Sequence, residues 1–166
     1  RRGAGFTPIA IIRPDKGAIR NPTWGLVAGL YDTLSKVKTL RDRLSLSRAE
    51  LAARVKVDLA ALFTDIAAAD AGPEQPRTLL LAIDQAEEMN TLTGEDAAEF
   101  FGLLRAVLRM PSTLDICLVF TVRDDSVDAT RERLIEVGLR PDAIETWRLN
   151  RLPRMRLVDV ITGPAA

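Results

Sequence analysis

Two uninterrupted apolar runs, each followed by charged residues, constrain the fold of this chain more than any other feature. They are residues 78–83 (TLLLAI) and residues 116–122 (ICLVFTV). A run that is apolar at every position indicates a strand covered on both faces, as in a parallel sheet flanked by helices. The chain is therefore expected to fold around such a sheet.

Helical patterns occupy the segments between the apolar runs. Helices are predicted over residues 23–38, 47–55, 58–71, 93–110 and 126–137. Strands are predicted over residues 6–13, 78–84, 116–123 and, more weakly, 145–149. This alternation predicts an α/β fold with three layers, a mostly parallel sheet and right-handed crossovers. Residues 1–152 would form this domain, and residues 153–166 would begin a further helix.

Composition excludes several kinds of site. The chain has 166 residues, which suits one domain, with no His and a single Cys. It therefore has no Ser–His or Cys–His nucleophile, no imidazole or multi-cysteine metal site and no internal disulfide. Cys117 lies inside an apolar run and is expected to be a buried, inert thiol. No apolar run is long enough to span a membrane, and the cysteine count suits the cytoplasm.

Charge is segregated along the chain although the net charge is zero. The net charge is +8 over residues 1–56, −9 over residues 57–100 and +1 over the remainder. An overall charge of zero argues against a nucleic-acid-binding domain. Because the chain begins at Arg1 without a Met, we expect it to be a segment of a longer polypeptide.

The acidic cluster after the second strand suits a metal and a phosphate. Ligands bind beyond the carboxyl ends of parallel strands, where Asp84 and the pair Glu87 and Glu88 are expected. An apolar strand that ends in Asp is the arrangement of a Walker B strand, in which the carboxylate orients the water shell of Mg²⁺. Asp84 would serve the metal, and Glu87 or Glu88 would polarise the attacking water. Alternatively, Asp84 caps a helix that has both glutamates in its first turn.

The arginines at this edge also have more than one interpretation. Arg123 precedes two Asp residues, so it suits either a phosphate contact or a structural ion pair. A third possibility is that Arg123 pairs with Asp84 or Glu88 when no nucleotide is bound. Arg13 is expected to be structural.

Four segments together resemble the STAND-class P-loop NTPases, in particular the bacterial novel STAND NTPase family. They are LLLAIDQAEE (79–88), FTPIAIIRP (6–14), FTVRDD (120–125) and LVDVITGP (157–164). They resemble, in turn, the Walker B segment, the strand after the P-loop helix, the sensor 1 strand and the start of the helical lid. The sequence departs from the family in having Ala86 where a large aromatic is usual, and in containing no Walker A motif of the form G-x-x-x-x-G-K-S/T.

The resemblance implies an ASCE/AAA-like P-loop NTPase fold from which the P-loop strand is absent. It places that strand between the Walker B and sensor strands, so residues 78–83 and 116–122 would either pair directly or leave a gap. It implies that Asp84 serves the metal and that Glu88 or Glu87 is catalytic. It also implies that Arg123 approaches the γ-phosphate, and that Gly163 and Pro164 lie near the base at the start of the lid, over residues 153–166.

The function implied by the resemblance is that of a cytoplasmic signalling ATPase. ATP and Mg²⁺ would bind the intact protein, and the 166 residues alone are expected to hold neither and to be inactive. The implied partners are other domains of the parent chain, namely a P-loop segment, an effector and C-terminal repeats, with oligomerisation on activation. Two alternatives stay open. One is a nucleotide-independent scaffold or interaction module on the same fold, and the other is an AAA-like ATPase associated with DNA.

Overall fold

The computed structural model describes residues 6–14, 24–70 and 78–149. Its strands are β1 (Phe6–Ile12), β2 (Thr78–Ile83) and β3 (Ile116–Phe120). Its α-helices are α1 (Leu26–Lys36), α2 (Lys38–Arg43), α3 (Arg48–Val57), α4 (Leu59–Asp70), α5 (Gly94–Leu108) and α6 (Val127–Val137). Short 3-10 helices cover Ala86–Thr91, Asp124–Ser126 and Pro141–Ala143. The predicted α/β class and the alternation of strands with helices are confirmed.

The three strands form one parallel sheet in the order β1-β2-β3. β2 pairs with β1 on one side and directly with β3 on the other, with Leu81 opposite both Ala10 and Leu118. The register of β1 shifts between Pro8 and Ala10, which marks a bulge. Because β2 and β3 share hydrogen bonds, no strand lies between them in the described part of the chain, and direct pairing is the one of the two expected arrangements that forms.

One face of the sheet carries the core. Leu79, Leu81 and Ile83 of β2 are buried on this face. Helix α5 packs over it, since Phe100 and Leu104 line a small cavity together with Leu81 and Ile83. Helix α1 covers the β1 side, where Gly29 lies so close to Ala10 that a Cβ on Gly29 would come within 2.9 Å of the Ala10 Cβ.

The opposite face of the sheet is only partly covered by the described residues. Ile11 is 62% exposed and Val119 is 41% exposed. Ile11 of β1 and Val119 of β3 lie on either side of Ala82 of β2, with which each is in register. Cys117 lies on this face and is half-buried, so the expectation of a fully buried thiol is wrong. Two successive right-handed crossovers in the same direction place their helices on the same side of a sheet. The described part of the chain therefore forms two layers rather than the predicted three.

Local capping signals explain where several helices begin and end. The side chain of Ser47 accepts a hydrogen bond from the Glu50 backbone, and the Glu50 carboxylate accepts one from the Ser47 N–H at 2.8 Å, which confirms the predicted capping box before α3. Gly138 ends α6 with a φ of 117°, a conformation that favours glycine. By contrast, the predicted helix over 23–38 stops at Lys36, because Val37 adopts an extended conformation, and α2 was not predicted.

A buried carboxylate ties the helices to the first strand. Asp70, at the end of α4, accepts hydrogen bonds from Thr7 in β1 and from Thr39 in α2, the latter at 3.1 Å. Arg43 of α2 donates to the carbonyl of Ala69 at 3.1 Å. These contacts hold α2 and α4 against β1, and they account for the turn of the chain at Val37.

The predicted strand at residues 145–149 does not form. Residues 144–149 have no regular secondary structure, and Trp147 and Leu149 are 84% and 97% exposed. In the described ranges this segment pairs with neither edge strand of the sheet, β1 or β3. Arg148 instead lies 3.4 Å from a carboxylate oxygen of Asp124.

Within the ranges that the structure covers, none of the helices combines the length and the apolar character needed to cross a membrane.

Candidate functional site

The carboxyl ends of the three strands bring together Arg13, Asp84 and Thr121. Each of these residues directly follows the last residue of its strand. The Asp84 N–H donates to the carbonyl of Ile12 at 2.9 Å, and the Thr121 N–H donates to the carbonyl of Ile83 at 2.9 Å. The sheet ladder thus continues one step past the strands and fixes the backbone of the site.

Both carboxylate oxygens of Asp84 accept hydrogen bonds. Thr121 Oγ1 donates to Asp84 Oδ1 at 2.6 Å. The guanidinium of Arg13 approaches Asp84 Oδ2 through Nε at 2.9 Å and through Nη2 at 2.6 Å. The hydrogen bond from Thr121, followed by that from Arg13, lowers the pKa of Asp84 below its ordinary value. Asp84 is therefore an ionised carboxylate held in one orientation, with its side chain 30% exposed.

A tight turn follows Asp84. Gln85 adopts a left-handed conformation with a φ of 56° and precedes the 3-10 helix Ala86–Thr91. Its N–H donates to Thr121 Oγ1 at 3.1 Å, and the N–H of Ala86 donates to the Thr121 carbonyl at 2.8 Å. The N-cap is Gln85 and no side chain caps the helix, so the alternative in which Asp84 is a helix cap is wrong.

The two glutamates of this short helix differ in their surroundings. Both are half-buried. The Glu87 carboxylate accepts a hydrogen bond from the backbone N–H of Arg123 at 3.3 Å, which ties it to the segment after β3. Within the described part of the chain, the Glu88 carboxylate has no hydrogen bond or ion pair. Glu88 is thus the glutamate whose carboxylate is available to another group.

Arg123 forms a local ion pair. Its Nη2 lies 2.8 Å from Asp125 Oδ2, and its side chain is 70% exposed. This is the structural ion pair that the sequence allowed as one alternative. The arginine that pairs with Asp84 is Arg13, and neither Asp84 nor Glu88 pairs with Arg123.

The donor set at this edge fits one kind of metal site only. Among the described residues, no group of three or more His, Cys, Asp or Glu side chains could hold a metal ion by itself. Mg²⁺ is commonly bound through one or two carboxylates together with substrate phosphates and water. Asp84 provides one ionised and partly exposed carboxylate at a sheet edge. It therefore fits a Mg²⁺ that arrives with a phosphate group, whereas by itself this single carboxylate would bind a divalent cation only weakly.

Sequence reasoning placed Arg13 at this edge as a structural residue but missed its pairing with Asp84. It also missed Thr121, which belongs to the quoted FTVRDD segment but had no role. The signal for Thr121 was its position directly after β3, because the polar residues that follow adjacent parallel strands meet at one edge. Gly163 and Pro164, with the whole predicted lid segment 153–166, lie outside the described residues.

Comparison with known protein families gives a match over most of the chain. A family model described as Novel STAND NTPase 1 matches residues 7–166, which includes every residue of the site. No curated protein and no solved structure was found to match this chain.

Proposed function

Because this chain belongs to the Novel STAND NTPase 1 family, we propose that it forms the metal-binding edge of an ATP-hydrolysing switch domain. In this proposal β2 is the Walker B strand and β3 is the sensor 1 strand. The observation that carries the proposal is the placement of Asp84 at the carboxyl end of β2, where Thr121 and Arg13 keep its carboxylate ionised and oriented.

Asp84 would hold water molecules of the metal's hydration shell. Its carboxylate is oriented by Thr121 at the end of the neighbouring strand β3, and this hydrogen bond can stay in place when a charged ligand arrives. Mg²⁺, when bound with ATP, would neutralise the charge of the phosphates. Asp84 would then orient that cation relative to the rest of the edge.

Glu88 would act as the general base. Its carboxylate lies in the 3-10 helix four positions after Asp84, and it has no partner among the described residues. Glu88 would accept a proton from the attacking water, which requires a carboxylate that is not already committed to a hydrogen bond. Glu87 would instead keep the Arg123 segment in place through the 3.3 Å hydrogen bond that it accepts.

Three further residues would contact the nucleotide. Arg123 would leave Asp125 to reach the γ-phosphate, as its 70% exposed side chain permits. Gly163 and Pro164 would lie near the base, a role that rests on the family resemblance of LVDVITGP. The phosphate-binding loop would come from a P-loop segment outside these 166 residues, since they contain no Walker A motif.

The parent protein would be a bacterial, cytoplasmic signalling protein. ATP binding and hydrolysis would couple this domain to an effector and to C-terminal repeats, with oligomerisation in the active state. These partners follow from the family and would lie in other parts of the parent chain.

One observation favours a second candidate function, a scaffold that binds no nucleotide. Both oxygens of the Asp84 carboxylate already accept contacts from Thr121 and Arg13, and no Walker A motif is present in the chain. A protein that had lost its nucleotide site would be expected to hold its former metal ligand in such an ion pair.

Nucleotide binding by the parent protein separates the two functions. We expect a fluorescent ATP analogue to bind in a Mg²⁺-dependent manner, and Asp84→Asn to remove the dependence on Mg²⁺. Asp142→Asn is the matched control, since Asp142 is an exposed carboxylate that lies 3.8 Å from Arg140. Absence of binding by the parent protein would favour the scaffold, whereas equal Mg²⁺-dependent binding by Asp84→Asn and the wild type would show that Asp84 does not hold the metal.

A further inference from the structure

We propose that Arg13 is an internal cation that occupies the carboxylate of Asp84 in the nucleotide-free state and is displaced when a divalent cation binds there. The inference rests on the proposed function of the same edge, and it concerns how that edge is regulated. Arg13 Nε and Nη2 both approach Asp84 Oδ2, at 2.9 Å and 2.6 Å. This is the position that a metal-bound water would need.

Arg13 and a divalent cation cannot use Asp84 together. Asp84 Oδ1 already accepts the hydroxyl of Thr121, and Oδ2 accepts both contacts from Arg13. A second cation at Oδ2 would lie within a few ångströms of the guanidinium, and like charges at that distance repel. Binding of the metal therefore requires the guanidinium of Arg13 to move.

The structure makes Arg13 the partner that can leave. The Arg13 side chain is 62% exposed, and Asp84 is its ion-pair partner among the described residues. Thr121, by contrast, is held at the edge by its own backbone hydrogen bond to Ile83 and by the hydrogen bonds that it accepts from the turn after Asp84. Displacement of Arg13 would leave Oδ1 bonded to Thr121 and would free Oδ2.

The consequence is that the edge needs a higher concentration of divalent cation to become occupied. The affinity of the edge for a divalent cation is lowered by the strength of the Arg13–Asp84 pair, because that pair is broken on binding. A partly exposed ion pair of this kind corresponds to an affinity difference of about two- to fivefold. Arg13 would thus occupy the Asp84 carboxylate at low concentrations of Mg²⁺ and nucleotide.

Mn²⁺ is a suitable probe because it shares oxygen ligands with Mg²⁺ and is detected directly by electron paramagnetic resonance. We would titrate the parent protein with Mn²⁺, with and without a non-hydrolysable ATP analogue. The variants are Arg13→Gln, Arg13→Lys and the double variant Arg13→Gln with Asp84→Asn. The matched control is Arg140→Gln, which removes an exposed arginine that lies 3.8 Å from Asp142, away from this edge.

We expect Arg13→Gln to bind Mn²⁺ about two- to fivefold more tightly than the wild type, and Arg13→Lys to lie between them. The double variant should lose the gain, and Arg140→Gln should match the wild type. Equal or weaker Mn²⁺ binding by Arg13→Gln, or no Mn²⁺ binding that depends on Asp84 in any variant, would overturn the inference. Measured melting temperatures would establish that each variant is folded.

The same titrations keep the two proposals apart. If the wild type binds no ATP analogue while Arg13→Gln gains Mn²⁺ affinity through Asp84, the proposed function fails and the role of Arg13 stands. If the wild type binds nucleotide with Mg²⁺ and Arg13→Gln shows no gain for Mn²⁺, the proposed function stands and the role of Arg13 is refuted.

Discussion

Thr121 donates a hydrogen bond from Oγ1 to Asp84 Oδ1 at 2.6 Å, and this contact joins the ends of β3 and β2. The same oxygen accepts the N–H of Gln85 at 3.1 Å, and the Thr121 carbonyl accepts the N–H of Ala86 at 2.8 Å. Thr121 therefore orients the carboxylate and also holds the turn from which Glu87 and Glu88 start. One residue couples the proposed metal ligand to the proposed general base.

Replacing Thr121 by Val should raise the pKa of Asp84 towards its ordinary value. The hydroxyl is the largest cause of the lowered pKa, and Val preserves the shape of the side chain while removing the donor. Thr121→Ser should leave the pKa low, since it keeps the hydroxyl. Titration of the carboxyl carbon by NMR measures both values, and an unchanged pKa in Thr121→Val would show that the hydroxyl does not set it.

The same contact predicts how stability depends on pH. A carboxyl whose pKa is lowered in the folded state stabilises that state above its unfolded pKa, and the contribution disappears as the pH falls through the folded value. The difference in unfolding free energy between the wild type and Thr121→Val should therefore be present at neutral pH and shrink in acid. A difference that grows on acidification would contradict this assignment.

Gly29 and Gly102 make a matched pair for testing the packing of α1 on the sheet. A Cβ on Gly29 would lie 2.9 Å from the Ala10 Cβ and 3.0 Å from its Cα, whereas a Cβ on Gly102 in α5 would meet nothing within 4 Å beyond its chain neighbours and the backbone of its own helix. Gly29→Ala should destabilise the fold by about 1–3 kcal/mol, because backbone must shift. Gly102→Ala should stabilise it by up to about 1 kcal/mol through helix propensity. Urea unfolding measures both changes, and equal effects would refute the close approach.

Asp70, at the end of α4, should contribute more to stability than an acidic residue in an exposed ion pair. It accepts hydrogen bonds from Thr7, which is buried, and from Thr39. Asp70→Ala leaves a buried hydroxyl without its partner and should cost about 1–3 kcal/mol. Asp32 forms an exposed pair with Lys36 at 2.8 Å, so Asp32→Ala should cost less than about 1 kcal/mol. A loss in Asp70→Ala no larger than in Asp32→Ala would contradict the assignment.

The 166 residues by themselves should show no measurable affinity for Mg-ATP. Asp84 offers one carboxylate, and the chain contains no glycine-rich loop whose N–H groups would bind the phosphates. Isothermal titration calorimetry of the chain with Mg-ATP tests this expectation. Tight binding would mean that the phosphates are held by residues other than a Walker A loop.

The elements that the sequence predicted well are those with strong local signals. Continuous apolar runs marked β2 and β3, the Ser47–Glu50 spacing marked the start of α3, and Gly138 marked the end of α6. Each signal depends on residues close together in the chain. The uninterrupted apolar runs predicted strands covered on both faces and did not reveal that one sheet face is partly uncovered, because burial depends on where the crossovers place the helices.

The features that were missed depend on contacts between distant residues. The break at Val37 has no Gly or Pro to mark it, and it accompanies the contacts of α2 with Asp70 and Ala69. Arg13 and Asp84 are 71 positions apart, and Thr121 and Asp84 are 37 apart. Local patterns predict which residues lie at the end of each strand, but only the order of the strands in the sheet decides which of these residues are in contact. For the same reason Trp147, in a segment of strand-like composition, stays exposed without a strand beside it.

The proposed function requires that Asp84 and Glu88 belong to a site that binds and hydrolyses Mg-ATP in the parent protein. Single-turnover hydrolysis and nucleotide binding should be measured in Glu88→Gln, with Glu87→Gln as the matched variant in the same short helix. Glu88→Gln should bind ATP as the wild type does and lose turnover by at least about a hundredfold, as for removal of a general base. Glu87→Gln should retain most of its turnover. Hydrolysis at the wild-type rate in both variants would refute the assignment of the general base to this helix.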